Sequence, residues 1–229
     1  MQTPVIAVDG PAGSGKSSVC RGVAQRLDLR YLDTGAMYRA MTWAMLDAGV
    51  DTGNPEAVAA FAPKVELSSG TDPAAPTIHV GAQDVSLPIR GDAVTNAVSA
   101  VSAVPKVREL LVTKQRDVVA AAVAAASGIV VEGRDITTVV LPDADLKVFV
   151  TADPAVRAAR RAAQDATLGK EQIDVEATEI ALRERDALDS TRAQSPLSQA
   201  ADALVIDTTT LTLDEVIDRV CALADTVPE

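Results

Sequence analysis

The stretch Pro4-Val5-Ile6-Ala7-Val8-Asp9-Gly10-Pro11-Ala12-Gly13-Ser14-Gly15-Lys16-Ser17-Ser18 decides the fold. Residues 4–8 are a short apolar run that reads as a buried strand. Residues 10–17 match G-x-x-x-x-G-K-[ST], a loop whose backbone amides converge on phosphate. Glycines in such a loop let the backbone come close and take positive φ. Its lysine reaches the β- and γ-phosphates, and the hydroxyl after it binds Mg²⁺. Val19, Val23, Ala24 and Leu27 then recur at helical spacing, so the loop opens a helix whose N-terminal dipole adds to the site. The plain alternative is a glycine-rich turn before a helix. Strand, loop and helix in that order are the context the phosphate reading needs.

Working outward, residues 30–33 read as a strand and 34–48 as a helix. Met37, Met41, Ala44, Met45 and Ala48 form that helix's apolar stripe, which reads as core. Residues 50–89 change character, punctuated by Pro55, Pro63, Pro73, Pro76 and Pro88. Strands are expected there at 64–68, 77–80 and 83–87, making a small antiparallel insert. Helices follow at 92–101 and 105–127, strands at 129–132 and 146–150, and helices at 153–165 and 172–189. A strand at 203–206 and a helix at 213–224 close the chain. Strands alternating with helices predict an α/β fold with a doubly wound parallel sheet. Ligands bind at the carboxyl ends of such strands. The phosphate loop, Asp33-Thr34-Gly35 and Glu132-Gly133-Arg134-Asp135 all directly follow strands, so they should meet at one edge.

The chain has 229 residues, enough for one large domain or a core with an inserted lobe. Only 2% are aromatic against 48% hydrophobic, so Val, Leu, Ile and Ala must fill the core. A net charge of −11 argues against a nucleic-acid partner, which needs a basic face. Cys20 and Cys221 offer neither a metal site nor a disulfide framework. No signal peptide is read at the start, and the longest apolar run, 118–126, is too short to span a bilayer. A soluble cytoplasmic monomer is the expectation. The sole histidine, His79, reads as a solvated residue on a strand, which argues against histidine-based chemistry.

Arginine outnumbers lysine 15 to six. Arg39, Arg108, Arg134, Arg157, Arg160, Arg161, Arg185 and Arg192 lie in segments expected at the ligand edge. Guanidinium forks suit phosphate oxygens, and phosphoryl transfer relies on positioning plus cations. Arg157, Arg160 and Arg161 share one helix face. That face is either simply solvated or part of a lid that brings arginines to a nucleotide, with residues 164–173 around Gly169 as its mobile tip.

At this point the chain resembles the bacterial cytidylate (CMP) kinases of the nucleoside-monophosphate kinase class. Residues 9–18 resemble that family's D-G-P-x-G-x-G-K loop. Leu32-Asp33-Thr34-Gly35-Ala36-Met37-Tyr38-Arg39 resembles its L-D-[ST]-G-A-x-Y-R signature. Val107-Arg108-Glu109, Gly133-Arg134-Asp135, Phe149, Arg157-Ala158-Ala159-Arg160-Arg161 and the set Arg185, Asp186, Asp189, Ser190 and Arg192 match in order. Residues 201–208 resemble its closing strand. The resemblance covers essentially the whole chain, insert included.

It implies a P-loop core at 1–33, 98–152 and 190–229. It also implies an acceptor-binding region at 34–97 with its insert at about 63–89, and a lid with flanking helices at 153–189. The implied reaction moves the γ-phosphoryl of ATP, with Mg²⁺, onto CMP or dCMP. Gly10, Pro11, Ala12, Gly13, Ser14, Gly15, Lys16, Ser17 and Ser18 would hold ATP, joined by Arg157, Arg160 and Arg161. Lys16, Arg134, Arg157 and Arg161 would act on the transferring phosphoryl, and Ser17 would hold the metal. Arg39 and Arg134 would bind the acceptor phosphate. Thr34, Arg108 and Asp135 would read cytosine, with Arg192 near base or phosphate. Arg185 and Asp189 would hold the ribose, assisted by Ser99, while Tyr38 and Gly133 complete the acceptor set.

Thr34 stands where many members carry Ser, Glu132 where Asp is common, and Ile136-Thr137 where some have Met-Gly. Glu132 reads alternatively as a structural partner that orients Arg134. The carboxylate beside the metal stays open between Asp33, Asp135 and water. Other readings are a P-loop kinase acting on UMP, dTMP, AMP or shikimate, and a switch-type nucleotide-binding module. The latter would carry N-K-x-D, which Thr113-Lys114-Gln115-Arg116 does not match.

Overall fold

The computed structural model describes residues 3–167, 174–192 and 194–226. In chain order the elements are β1 (Val5–Asp9), α1 (Lys16–Arg26), β2 (Arg30–Asp33), α2 (Thr34–Asp47), α3 (Pro55–Phe61), β3 (Leu67–Ser69), β4 (Ile78–Val80) and β5 (Gln83–Asp84). Then come α4 (Asp92–Ala103), α5 (Pro105–Ala124), β6 (Ile129–Gly133), β7 (Leu146–Thr151), α6 (Pro154–Thr167), α7 (Val175–Thr191), β8 (Leu204–Asp207) and α8 (Leu213–Ala224).

Five strands form a parallel sheet in the order β2-β6-β1-β7-β8. Strand alternation divides its core in two. Ile6, Val8, Tyr31, Val130 and Val148 face α1 and α8, where Val19, Val23, Val216 and Val220 complete one layer. Ala7, Leu32, Ile129 and Val131 face the other layer, which takes Met37, Met41 and Met45 of α2 and Leu111 of α5. The methionine stripe is therefore core.

Register sets the functional edge. Asp9 pairs with Gly133, Val8 with Glu132, and Asp33 with Glu132. The ends of β1, β2 and β6 are thus level, and the three segments after them emerge side by side.

The insert is the antiparallel sheet β3-β4-β5. It is not a free lobe. Thr71 O accepts from Tyr31 N at 2.9 Å, and Arg21 donates to Pro73 O at 2.8 Å and to Ala74 O at 3.1 Å. The insert's loop thereby covers the outer edge of β2, which otherwise has unpaired backbone groups.

Three local expectations change. The proline-punctuated region contains a helix, α3, because Pro55 sits at its first position and Asn54 caps it, accepting from Glu56 N and Ala57 N. Pro63 lies in a 3-10 turn at Ala62–Lys64, so β3 begins at Leu67 instead of residue 64. The third insert strand ends at Asp84, whose side chain accepts from Ser86 N to start a turn. The expected lid tip around Gly169, and the first residues expected of the helix at 172–189, lie outside the described residues.

Candidate active site

A cavity of about 480 Å³ opens at the carboxyl ends of the strands. It is lined by residues of the phosphate loop, by Asp33, Thr34, Tyr38 and Arg39, and by Glu132, Gly133, Arg134 and Asp135. Ser102, Arg108, Arg160, Arg161, Arg185, Asp189 and Arg192 also line it. Among the described residues the buried charged groups are Asp9, Lys16, Arg108, Glu132, Asp135, Arg157 and Asp189, all at or beneath this edge. Burying charge is costly unless it is paired and hydrogen-bonded, so this concentration marks a place where the chain invests stability in chemistry.

The loop's turn leaves no room for side chains at its base. Gly10 takes φ 151°, and a Cβ there would lie 2.0 Å from Val150 O. Gly13, at φ 75°, has the Arg157 carbonyl 3.0 Å from its Cβ position, so α6 packs directly on the loop. Lys16 opens α1 and folds back across the loop. Its Nζ donates to Gly10 O and Pro11 O, both at 2.7 Å, and to Ser14 Oγ at 3.4 Å. Burial, then the nearby Arg134, pushes the Lys16 ammonium down to about 7, against the pull of Glu132 and Asp9.

Asp9 ends β1 and accepts from Ile136 N at 2.9 Å, Thr137 N at 2.8 Å and Thr137 Oγ1 at 2.7 Å. These bonds hold a π-helical turn at Ile136–Val140, which presents Gly133-Arg134-Asp135 to the cavity. Such turns recur at functional sites. Burial pushes the Asp9 carboxyl up from its ordinary range, opposed by these donors.

Glu132 is the carboxylate hydrogen-bonded to Ser17. Ser17 Oγ donates to its Oε2 at 3.0 Å, and Tyr31 Oη donates to its Oε1. Burial first and Asp33 second push Glu132 up to about 7. Burial and the Glu132 charge push the Tyr31 phenol far up, so it stays a donor at any working pH. Among the described residues no three His, Cys, Asp or Glu cluster as a metal cage. Mg²⁺ does not need one, since it binds through one or two protein oxygens plus phosphates and water. The Ser17 hydroxyl beside Glu132, with Asp33 across the strand pair, fits that hard-oxygen pattern. Asp135 does not join it, because it is turned to Arg108.

The arginine side of the cavity is a web of ion pairs. Arg108 and Asp135, both buried, pair directly, and the Arg108 guanidinium sits 5.4 Å above the Tyr38 ring. Arg134 Nε donates to Asp189 Oδ2 at 3.1 Å, and Arg192 Nη1 lies 3.6 Å from Asp189 Oδ1. Arg39 donates to Ile89 O and Thr95 Oγ1, both at 3.0 Å. Burial, then Arg185 and Arg161, pushes Arg39 down; burial, then Arg134, does the same to Arg185. Guanidinium groups stay protonated at working pH, so these shifts report positive charge that is buried first and crowded second, which an anion would relieve. Thr34 Oγ1 donates to Glu132 O at 2.7 Å, leaving its lone pairs to the cavity.

The three arginines of α6 diverge. Arg160 donates to Thr208 Oγ1 at 2.8 Å and Thr208 O at 2.7 Å, tying α6 to the end of β8. Arg161 lines the cavity and pairs with Asp165 at 3.1 Å. Arg157 does not line it. It is buried beneath the loop, donating to Ala12 O at 3.0 Å and pairing with Asp186. Ser99 is also off the cavity wall; its carbonyl accepts from Ser102 Oγ, and Ser102 lines the wall one turn on. The sequence reading missed Asp9, Tyr31, Ser102 and Asp186. Asp9 and Asp186 carried a signal, Asp9 as the residue opening the loop signature and Asp186 as a member of the Arg185–Arg192 set.

A phosphate loop and an arginine-lined cavity at one strand edge are the marks of a P-loop kinase. The cytidylate kinase family profile matches residues 6–226, and the chain belongs to that family. A cytidylate kinase of Streptomyces griseus is 56% identical over 221 residues, covering 96% of this chain and 92% of the relative. One of Nocardia farcinica is 55% identical over 215 residues, covering 94% and 90%. Among solved structures, an uncharacterized protein from Eubacterium ventriosum superposes with a TM-score of 0.54 at 11% identity, covering 98% of this chain and 99% of that one, which shows the fold alone.

Proposed function

We propose that this chain transfers the γ-phosphoryl group of ATP to CMP or dCMP, giving ADP and CDP or dCDP. The observation that carries the reading is the single cavity in which the phosphate loop faces a set of arginines with carboxylate partners. A phosphate oxygen of the acceptor forms a bond to the γ-phosphorus as the bond to the β–γ bridging oxygen breaks, and the electron pair leaves with ADP.

The loop amides hold the β-phosphate, and Lys16 turns from the Gly10 and Pro11 carbonyls to the phosphate oxygens. Ser17, backed by Glu132, would hold Mg²⁺, which when bound neutralises charge on the phosphates. Arg39 and Arg134 hold the acceptor phosphate, Arg185 and Asp189 hold its ribose, and Arg134 and Arg161 meet the moving charge. Arg157 acts from below by fixing the loop at Ala12.

Arg108 and Asp135 form a donor–acceptor edge that complements cytosine. Arginine donates to its carbonyl and ring nitrogen, and aspartate accepts from its amine. Uracil sets a carbonyl against Asp135 and binds worse. A coupled ADP-release assay with CMP, dCMP, UMP, dTMP and AMP tests this. CMP or dCMP should give the highest kcat/KM, and a preference for any other acceptor would overturn the assignment.

A further inference from the structure

Tyr31 lies outside the cavity wall, yet its hydroxyl is tied into the donor site. It sits in the middle of β2, 1% exposed, packed with Val130 and the α1 layer. The register pairs Tyr31 with Val130 and Asp33 with Glu132. Side chains two residues apart on a strand share a face, so Tyr31, Val130, Glu132 and Asp33 all point toward α1. The Tyr31 hydroxyl reaches along this face to Glu132 Oε1. Phenylalanine would fill the same core space, and a buried hydroxyl is unfavourable without a partner. What the hydroxyl adds is its bond to Glu132.

The second carboxylate oxygen accepts from Ser17 Oγ at 3.0 Å. Glu132 is therefore held at both oxygens, one by the core and one by the loop. The terminal torsion of a glutamate is otherwise broad. Ser17 has one proton to donate, and donating it to Glu132 turns only lone pairs toward the nucleotide side. We propose that Tyr31 is a positioning residue for the donor site: its hydroxyl fixes Glu132, and Glu132 in turn aims the Ser17 oxygen at the metal that accompanies the nucleotide. This rests on the phosphoryl-transfer reading above.

The test is Tyr31→Phe, read by nucleotide binding in place of turnover. ADP affinity is measured by titration calorimetry with excess Mg²⁺ and again in EDTA, with Tm as a folding control. The expected result is about tenfold weaker binding with Mg²⁺, the usual scale for losing a group that orients a metal ligand, and unchanged binding in EDTA. Equal losses in both conditions, or a lower Tm with no metal-dependent loss, would overturn the proposal. Should Tyr31→Phe fail to fold, Glu132→Gln reads the same ratio, because an amide nitrogen cannot accept and only one oxygen remains for Tyr31 and Ser17. Where Tyr31→Phe folds, adding it to Glu132→Gln should cost less than about twofold more, since both variants break one linkage; additive losses would overturn the linkage. A wild-type chain that binds no ADP in either condition would sink the kinase reading as well, whereas wild-type binding with an unaltered Mg²⁺ gain in Tyr31→Phe would sink this proposal alone.

Discussion

The two halves of the cavity, which we propose take donor and acceptor, hold their charges by different means. On the donor side the partners are backbone groups and side chains of β2 and α1: Lys16 on loop carbonyls, Asp9 on the amides of the π-helical turn, Glu132 between Tyr31 and Ser17. Sheet register fixes these positions. On the acceptor side the partners are side-chain ion pairs between helices and loops: Arg108 with Asp135, Arg134 and Arg192 with Asp189. That side gives Arg108, Arg134 and Arg192 carboxylate partners, while Arg39 rests on Ile89 O and Thr95 Oγ1. One helix serves both halves. On α7, Asp186 accepts from Ala12 N of the loop at 3.1 Å, and one turn later Asp189 accepts from Arg134.

The largest break in this comparison is Lys16→Ala. It should lower kcat by about 10²–10³-fold, the scale of a lost transition-state donor. Direct CMP binding should stay near wild type, because Lys16 bonds only within its loop. A comparable fall in CMP affinity would show the halves to be one charge network.

Asp186→Ala and Asp189→Ala form the next contrast. Removing Asp189 leaves Arg134 and Arg192 without their shared partner, so the KM for CMP should rise about tenfold, as for one lost charged hydrogen bond. The KM for ATP should hold. Removing Asp186 takes away the partner of both Ala12 N and Arg157, so the ATP side should suffer and CMP binding should hold. Steady-state kinetics with each substrate varied in turn reads both. The same defect in both variants would mean that α7 merely supports the fold.

The donor half was more legible in the sequence than the acceptor half, for a physical reason. The loop, its strand and its helix are consecutive, so local pattern specifies them. The even spread of strands and helices likewise placed the sheet and its functional edge. Glu132 was harder. Its bonds to Ser17 and Tyr31 join residues 115 and 101 positions apart, and only strand pairing brings them together. The three α6 arginines do share a helical face by spacing. What each meets is set by the loop, β8 and α7, so Arg157 lies beneath the loop while Arg160 and Arg161 line the cavity. Prolines misled in the insert, because Pro55 after an Asn cap starts a helix as readily as it ends one. The family resemblance supplied the acceptor roles that no spacing rule could give.

The smallest expected effect concerns the proton on Glu132. Its folded-state value, raised from 4.5 to about 7 mainly by burial, means that the folded chain holds this proton more tightly than the unfolded chain. Its contribution to stability is full below about pH 4.5 and is lost as pH rises through about 7. Lys16 acts in the opposite sense over a higher window: lowered from 10.5 to about 7, it adds stability as pH rises from about 7 toward 10.5. The two slopes meet near neutrality, where both burial costs are present. Glu132→Gln removes the carboxylate's slope and leaves the lysine's. The variant's Tm should therefore fall less than the wild type's between about pH 5 and pH 7, even as its Mg²⁺-dependent nucleotide affinity drops. Thermal melts across that range check it. Parallel curves would place the titrating proton on another group and leave the donor half's stability independent of its central carboxylate.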